Sequence, residues 1–175
     1  MEELRLAVPS IEYGDQIFAN RQEFLDNQDN MNGTASLGKF ENPLEWLNWI
    51  EKTASKETCP SDMVPGSVFL CIRVLDNRLV GMVNIRHCLN DYLLQYGGHI
   101  GYSIRKTERR KGYAKEQLRL ALLECKKLGI SNALITCNKN NEGSRKTILS
   151  GKGILENEVL NPENNVTTQR YWVAL

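Results

Sequence analysis

Residues 97–129, GGHIGYSIRKTERRKGYAKEQLRLALLECKKLG, constrain this chain more tightly than any other stretch. A β-rich run ends at Ile104, a polar connection follows, and Gly112 permits a tight backbone where a helical period begins. From there Ala114, Leu118, Ala121, Leu122, Cys125 and Leu128 recur at spacings of four, three, one, three and three, the stripe of a half-buried helix. Gly129 ends that helix as a left-handed cap. A strand leading through glycine into an amphipathic helix needs a sheet for the helix to lie on. It also leaves Arg109, Arg110 and Lys111 at the positive end of the helix dipole, where cations are disfavoured and an anion is welcome.

The flanking patterns supply the sheet. LRLAV (4–8) alternates as a short strand, and residues 11–28 carry an imperfect helical face of Ile11, Ile17, Phe18, Phe24 and Leu25. Residues 29–42 read as a loop, after which Asn42 caps PLEWLNWIEKTASK with Pro43 in its first turn. SVFLCIRVL and RLVGMVNIRH form an antiparallel hairpin around Asp76-Asn77. NALITC (132–137) is a strand, NEGSRKTILS (141–150) a short helix, and GILENEVL and VTTQRYWVAL a closing pair around NPENN. This order predicts one α+β domain over residues 1–175: a single mixed, mostly antiparallel sheet of about six to seven strands flanked by about four helices.

Composition narrows the partners. With 41% hydrophobic residues in 175 and a formal net charge of +1, the chain supports a real core but no global field for nucleic acid or an anionic membrane. The five cysteines are scattered without a C-x-x-C pair, so neither a metal site nor a disulfide framework is expected. No stretch approaches the roughly 18 apolar residues of a membrane span, and MEELRLAVPS lacks the pattern of an export signal. The expectation is a cytoplasmic protein, monomeric or homodimeric, with no membrane and no nucleic-acid partner.

The helix entry fits a pyrophosphate cradle: unpaired N–H groups in the first turn, the dipole and three flexible cations converge on one point. From charge alone, the triplet reads first as a solvated surface run; the strand–glycine–helix context shifts the reading to the cradle. Neither G-x-x-x-x-G-K-[ST] nor G-x-G-x-x-G occurs, so the common nucleotide loops are excluded. IGYSIRKTERRKGYAKEQLRLAL does resemble the acetyl-CoA-binding motif of the GNAT acetyltransferase superfamily, [Q/R]-x-x-G-x-[G/A], with Arg109, Gly112 and Ala114 in its three fixed positions. NNEGSRKTILSGKGI resembles the second cofactor element of that family, an Asn opening a short helix with a small residue three places on, matched by Asn141 and Ser144. GMVNIRHCLNDYLLQYGGHIGYSIR and the QRYWV ending are similar to a bacterial branch of predicted acetyltransferases, and the order of elements agrees from residue 4 to 175.

The resemblance implies acetyl-CoA as cosubstrate. Its pyrophosphate would be held by backbone amides and side chains of Arg109, Arg110, Lys111, Gly112, Tyr113, Ala114 and Lys115, its pantetheine arm beside Ile104, and Asn141 and Ser144 on the other side. The implied reaction is acetyl transfer to a primary amine of a small molecule or peptide, by direct attack in a ternary complex; the alternative is a non-catalytic CoA-binding module of the same fold. A protonated amine, with a reference pKa near 10.4 for a lysine-like group, must first lose its proton. His87, with Asn84 three residues earlier as orienter, and His99 are the candidate bases, with Glu108 and Asp91 in reserve. Many relatives carry a tyrosine seven residues after the Asn of the second element; here that position is Ile148, leaving Tyr102 and Tyr171 as candidate acids. Cys137 is a remote candidate nucleophile, better read as a small buried hydrophobe. The acceptor site is expected among the two N-terminal helices, the 29–42 loop and residues 88–97, with Trp46, Trp49, Tyr92 and Tyr96 as candidate walls.

Overall fold

The computed structural model describes residues 2–175. Seven strands and four α-helices follow in the order β1 (Leu4–Ala7), α1 (Gly14–Asp26), α2 (Pro43–Lys52), β2 (Gly66–Arg73), β3 (Arg78–Arg86), β4 (Ile100–Ile104), α3 (Tyr113–Lys127), β5 (Asn132–Asn138), α4 (Glu142–Ser150), β6 (Ile154–Asn161) and β7 (Val166–Ala174). The helix expected over residues 11–28 opens instead with a short 3-10 turn, Ile11–Tyr13, before α1. Among the described residues no helix is long and apolar enough to cross a membrane.

The strand count matches expectation, but the strands lie in two sheets rather than one and every ladder is antiparallel. β1-β2-β3-β4 form a meander, and β5-β7-β6 form the second sheet. The hairpin turn falls where the sequence put it, with Asn77 in the left-handed region that a tight β-turn demands. The sheets meet between β4 and β5, where His99 N–H donates to the Leu134 carbonyl (2.7 Å) and Leu134 N–H donates to His99 Nδ1 (2.9 Å). The imidazole thus takes an amide that a continuing ladder would have used. Beyond it, no backbone bond joins β4 to β5 among the described residues, so both strands keep an open edge.

Both faces of the first sheet are covered, so β3 is buried almost without alternation. One face packs Val68, Leu70 and Met82 against Ile17 of α1 and Trp46 of α2. The other packs Val83, Ile85 and Ile100 against Leu118, Ala121 and Cys125 of α3, together with Ile135, Ile148 and Tyr171 from the second half. Each fully buried aliphatic side chain here contributes roughly 1.5–3 kcal/mol. α2 starts on Asn42, whose Oδ1 accepts from Leu44 N–H at 2.8 Å, and α4 on Asn141, whose Oδ1 accepts from Ser144 N–H at 3.0 Å.

Candidate active site

The connection from β4 to α3 is a concave run of backbone. Arg110 (φ +65°) and Gly112 (φ +86°) are both left-handed, an alternation that turns successive N–H groups toward one side. The amides of Arg110, Lys111, Gly112, Tyr113 and Ala114 have no acceptor among the described residues, and no side chain caps α3. Five free donors at the positive end of a 15-residue helix make a ready anion seat.

This loop is held from beneath and from the side. Glu108, with only 4% of its side chain exposed, accepts from Arg73 (3.0 Å) and Lys111 (2.8 Å) and forms an ion pair with Arg78 (2.8 Å). Burial alone would raise its pKa, but the Lys111 hydrogen bond and the charges of Arg73, Lys111 and Arg78 outweigh it and hold the carboxyl below its ordinary value. Glu108 is therefore a neutralised anchor rather than a base. From the α1 side, Glu23 binds Arg105 (2.7 Å) and the Thr107 N–H (3.0 Å). Asp29 binds the Arg109 guanidinium at 2.9 Å.

The cations consequently divide into two kinds. Arg109 also donates from Nε to the Ile104 carbonyl (2.9 Å) and lies over the Phe24 ring (5.7 Å), and Lys111 is engaged by Glu108. Both brace the loop, where the sequence alone suggested three flexible cations facing an anion. Arg110 and Lys115 are exposed and have no ion-pair partner among the described residues. Tyr113 is buried, its hydroxyl bonded to Glu2 and to Arg73, so only its amide faces the loop.

The open edge of β4 continues from this seat. Arg86 N–H donates to the His99 carbonyl (2.8 Å) and Arg105 N–H to that of Val80 (2.9 Å), so the odd-numbered residues of β4 turn their backbone groups toward β3. Ile100, Tyr102 and Ile104 turn theirs toward the gap between the sheets. The Tyr102 hydroxyl spans from β4 to α4, 2.8 Å from Ser144 Oγ, and burial pushes its pKa up to about 12. Cys137 is buried, and desolvation raises its thiol to about 11, which removes the thiolate a nucleophile needs. Ile148 is fully buried in the core, and Tyr171 is spent on Gln169 Oε1 (2.8 Å) within the same cluster.

On the other face of the sheet lies a cavity of about 330 Å³. Its walls include residues 31–36, Trp49 and Tyr92, as the sequence suggested, and also Asn84, Arg86 and the rim carboxylate Asp62. Trp46 is instead a core residue that pins the 31–36 loop through Nε1–H to the Thr34 carbonyl (2.9 Å). Tyr96 stands outside the lining, its ring 5.5 Å from that of Tyr92. Asn84 Oδ1 is buried without a partner among the described residues.

Neither histidine lines this cavity. His87 Nε2 pairs with Ser67 Oγ at 2.8 Å, so Ser67 rather than Asn84 orients it, and burial lowers its pKa. The Nδ1 lone pair of His99 is already taken by Leu134 N–H, which makes that ring a joint between the sheets and unfit as a base. Burial, and next the Arg86 charge, lower its pKa. Asp91 is an exposed residue at the start of a short helical turn, outside the cavity lining. The residues that sequence reasoning missed are Asp29, Arg73 and Arg86. Asp29 and Arg73 act through partners distant in the chain, and Arg86 stands out only by the cavity it lines, so no local pattern announces them.

Comparison with known proteins agrees with this architecture. Among curated proteins no sequence matches. The fold is similar to that of the microcin C7 self-immunity acetyltransferase MccE, solved with acetyl-CoA and AMP: TM-score 0.70 and 17% identity over 100% of this chain and 94% of that one. It is also similar to RimL, the ribosomal L7/L12 α-N-protein acetyltransferase solved with coenzyme A, with TM-score 0.69 and 14% identity over 98% and 94%. A third similar structure is the Salmonella typhimurium acetyltransferase that modifies the N-terminal serine of L7/L12, with TM-score 0.65 and 16% identity over 98% and 95%. At such identities the likeness speaks to the fold. Family assignment comes from the sequence itself, whose residues 20–150 match the profile described as the acetyltransferase (GNAT) domain. A match over most of the chain, on a fold shared with solved acetyltransferases, settles the lineage: this chain belongs to the GNAT acetyltransferase family.

Proposed function

We propose that the chain is a single-domain N-acetyltransferase that uses acetyl-CoA and transfers the acetyl group directly to an amine. The observation that carries this reading is the row of five unpartnered amides from Arg110 to Ala114, opening onto the unpaired edge of β4. A pyrophosphate fits that seat because the donors are fixed in advance and the helix dipole adds to them. Arg110 and Lys115 close over it from solvent, while Arg109 and Lys111 keep its floor rigid through Asp29 and Glu108. The pantetheine arm fits the gap, with the backbone of Tyr102 and Ile104 on one side and Asn141 and Ser144 at the start of α4 on the other. When bound, acetyl-CoA supplies the acyl group as an activated thioester.

The chain's own residues do the rest by positioning. Tyr102, a phenol held protonated by burial, gives its proton to the departing sulfur from β4, in place of the α4 tyrosine whose position is Ile148. The amine enters from the cavity that Asn84 and Arg86 line. A nitrogen–carbon bond forms and the carbon–sulfur bond breaks; the proton lost by nitrogen leaves through the polar rim near Asp62, balancing the one Tyr102 later regains. Holding the reactants in line accounts for most of the acceleration.

Two measurements test this. Acetyl-CoA should raise the melting temperature, and free thiol should appear when an amine panel is added. No thermal shift at saturating acetyl-CoA would overturn the proposal. The absence of any histidine from the cavity and the burial of Ile148 favour one competing reading, a CoA-binding module without catalysis. That reading requires a thermal shift with no thiol release across the panel.

A further inference from the structure

The acceptor cavity contains a guanidinium without a counter-charge. Arg86 extends from β3 on the same face as Asn84, two residues earlier, and its Nη1 donates to the carbonyls of Gly97 and Gly98, both at 3.1 Å. Its remaining N–H groups have no partner among the described residues and are not sealed off, because the side chain lines the cavity. Among the described residues no carboxylate lies within ion-pair distance of it, whereas Arg73, Arg105 and Arg170 each have one. Desolvation works against the Arg86 charge. An inward-facing cation kept without an anion is costly unless a ligand supplies one.

We propose that Arg86 is the specificity residue of the acceptor site, and that the acceptor is a small amine bearing a carboxylate, such as an α-amino acid. This rests on reading the cavity as the acceptor side of an acetyltransferase. The planar fork of a guanidinium matches a carboxylate through two parallel N–H···O bonds. One cation suits one negative charge, and a dianionic phosphate would face Asp62 at the rim without a second cation in the lining. A volume of about 330 Å³ lies at the small end of ligand pockets and suits a metabolite-sized acceptor. With the carboxylate on Arg86, the amine end of the acceptor extends along the cavity past Asn84.

The test compares α-amino acids with their carboxamides as acceptors, following free-thiol release from acetyl-CoA. Wild type should prefer the acids by at least about tenfold in kcat/KM. Arg86→Gln should raise KM for the acids about tenfold or more, leave the carboxamides unchanged and alter kcat little; Arg86→Lys should restore part of the loss. Equal use of acids and amides by wild type, or a uniform loss in Arg86→Gln, overturns the proposal. Calorimetry of wild type with N-acetyl amino acids against N-acetyl amino acid amides decides the matter even if Arg86→Gln fails to fold or no acceptor turns over: binding confined to the acids supports it, and equal or absent binding overturns it. A thermal shift with acetyl-CoA but no preference for acids overturns this inference alone. Acid-specific binding without any response to acetyl-CoA supports the anion subsite and overturns the acetyltransferase reading instead.

Discussion

Replacing Gly112 by alanine separates the donor seat from general stability. Gly112 has φ +86°, a conformation that costs an L-residue roughly 1–2 kcal/mol. Gly129, at the far end of α3, has φ +77°, and a Cβ added there would meet nothing within 4 Å, so Gly129→Ala carries the same strain with no added clash. At about 2–4 °C per kcal/mol for a domain of this size, each variant should melt about 2–8 °C lower. Only Gly112→Ala should lose acetyl-CoA. Relieving its strain rotates an amide out of the row, and a hydrogen bond to a charged group is worth about 1.5–3 kcal/mol, which is roughly a tenfold to 150-fold rise in Kd. Calorimetric titration of both variants with acetyl-CoA reads this directly. If Gly112→Ala binds within twofold of wild type, or Gly129→Ala weakens binding equally, the amide row is not the seat.

Three further outcomes are expected. Tyr102→Phe should lower kcat about 10–100-fold with little change in KM for acetyl-CoA, by a factor that stays constant from about pH 6 to 9 because burial keeps the phenol protonated throughout; a kcat within about threefold of wild type would remove Tyr102 as the acid. His87→Ala should leave kcat within about threefold of wild type and cost about 1 kcal/mol in a urea melt through the lost Ser67 bond; a loss of kcat beyond tenfold would return His87 to the mechanism. Stability should fall in two stages on acidification, because at sites whose pKa folding lowers the unfolded chain takes up protons before the folded one. His87 and His99 lie below 6.5 chiefly through burial, so their contribution is complete above that pH and is lost below it. Glu23 and Glu108 lie below 4.5, so theirs is lost in a second, more acidic window. Urea melts from about pH 7.5 to 3.5 would show both stages, and a flat profile down to about pH 5 would contradict the first.

The parts legible in the sequence were those governed by neighbours in the chain. The period of α3, the Asn77 turn and the Asn141 cap each follow from a few adjacent residues, and they appear within one or two positions of where they were expected. The tight backbone at Gly112 and the left-handed Gly129 were legible for the same reason. The division into two sheets was not, because it depends on a histidine ring replacing a strand-to-strand bond with Leu134, 35 residues away. The cations misled in a similar way. Arg109 and Lys111 look equally free in RRK, yet Asp29, 80 residues away, captures one and the buried Glu108 captures the other. Arg86 gave no signal at all, since one arginine ending an ordinary strand becomes informative only when its surroundings prove to lack a carboxylate.

The narrow junction between the two sheets also bears on how long the native state lasts. β2, β3 and β4 pair in turn across short connections, while β1 reaches β2 only across both N-terminal helices and β5 must wait for β7 to arrive from beyond β6. On contact order the β2–β3–β4 ladder forms early, and the His99–Leu134 connection forms after it. Contacts made after the folding barrier alter the rate of unfolding and leave the rate of folding alone. A molecule lodged in the gap would thus act as a brake on opening, lengthening the lifetime of the folded chain without hastening its birth.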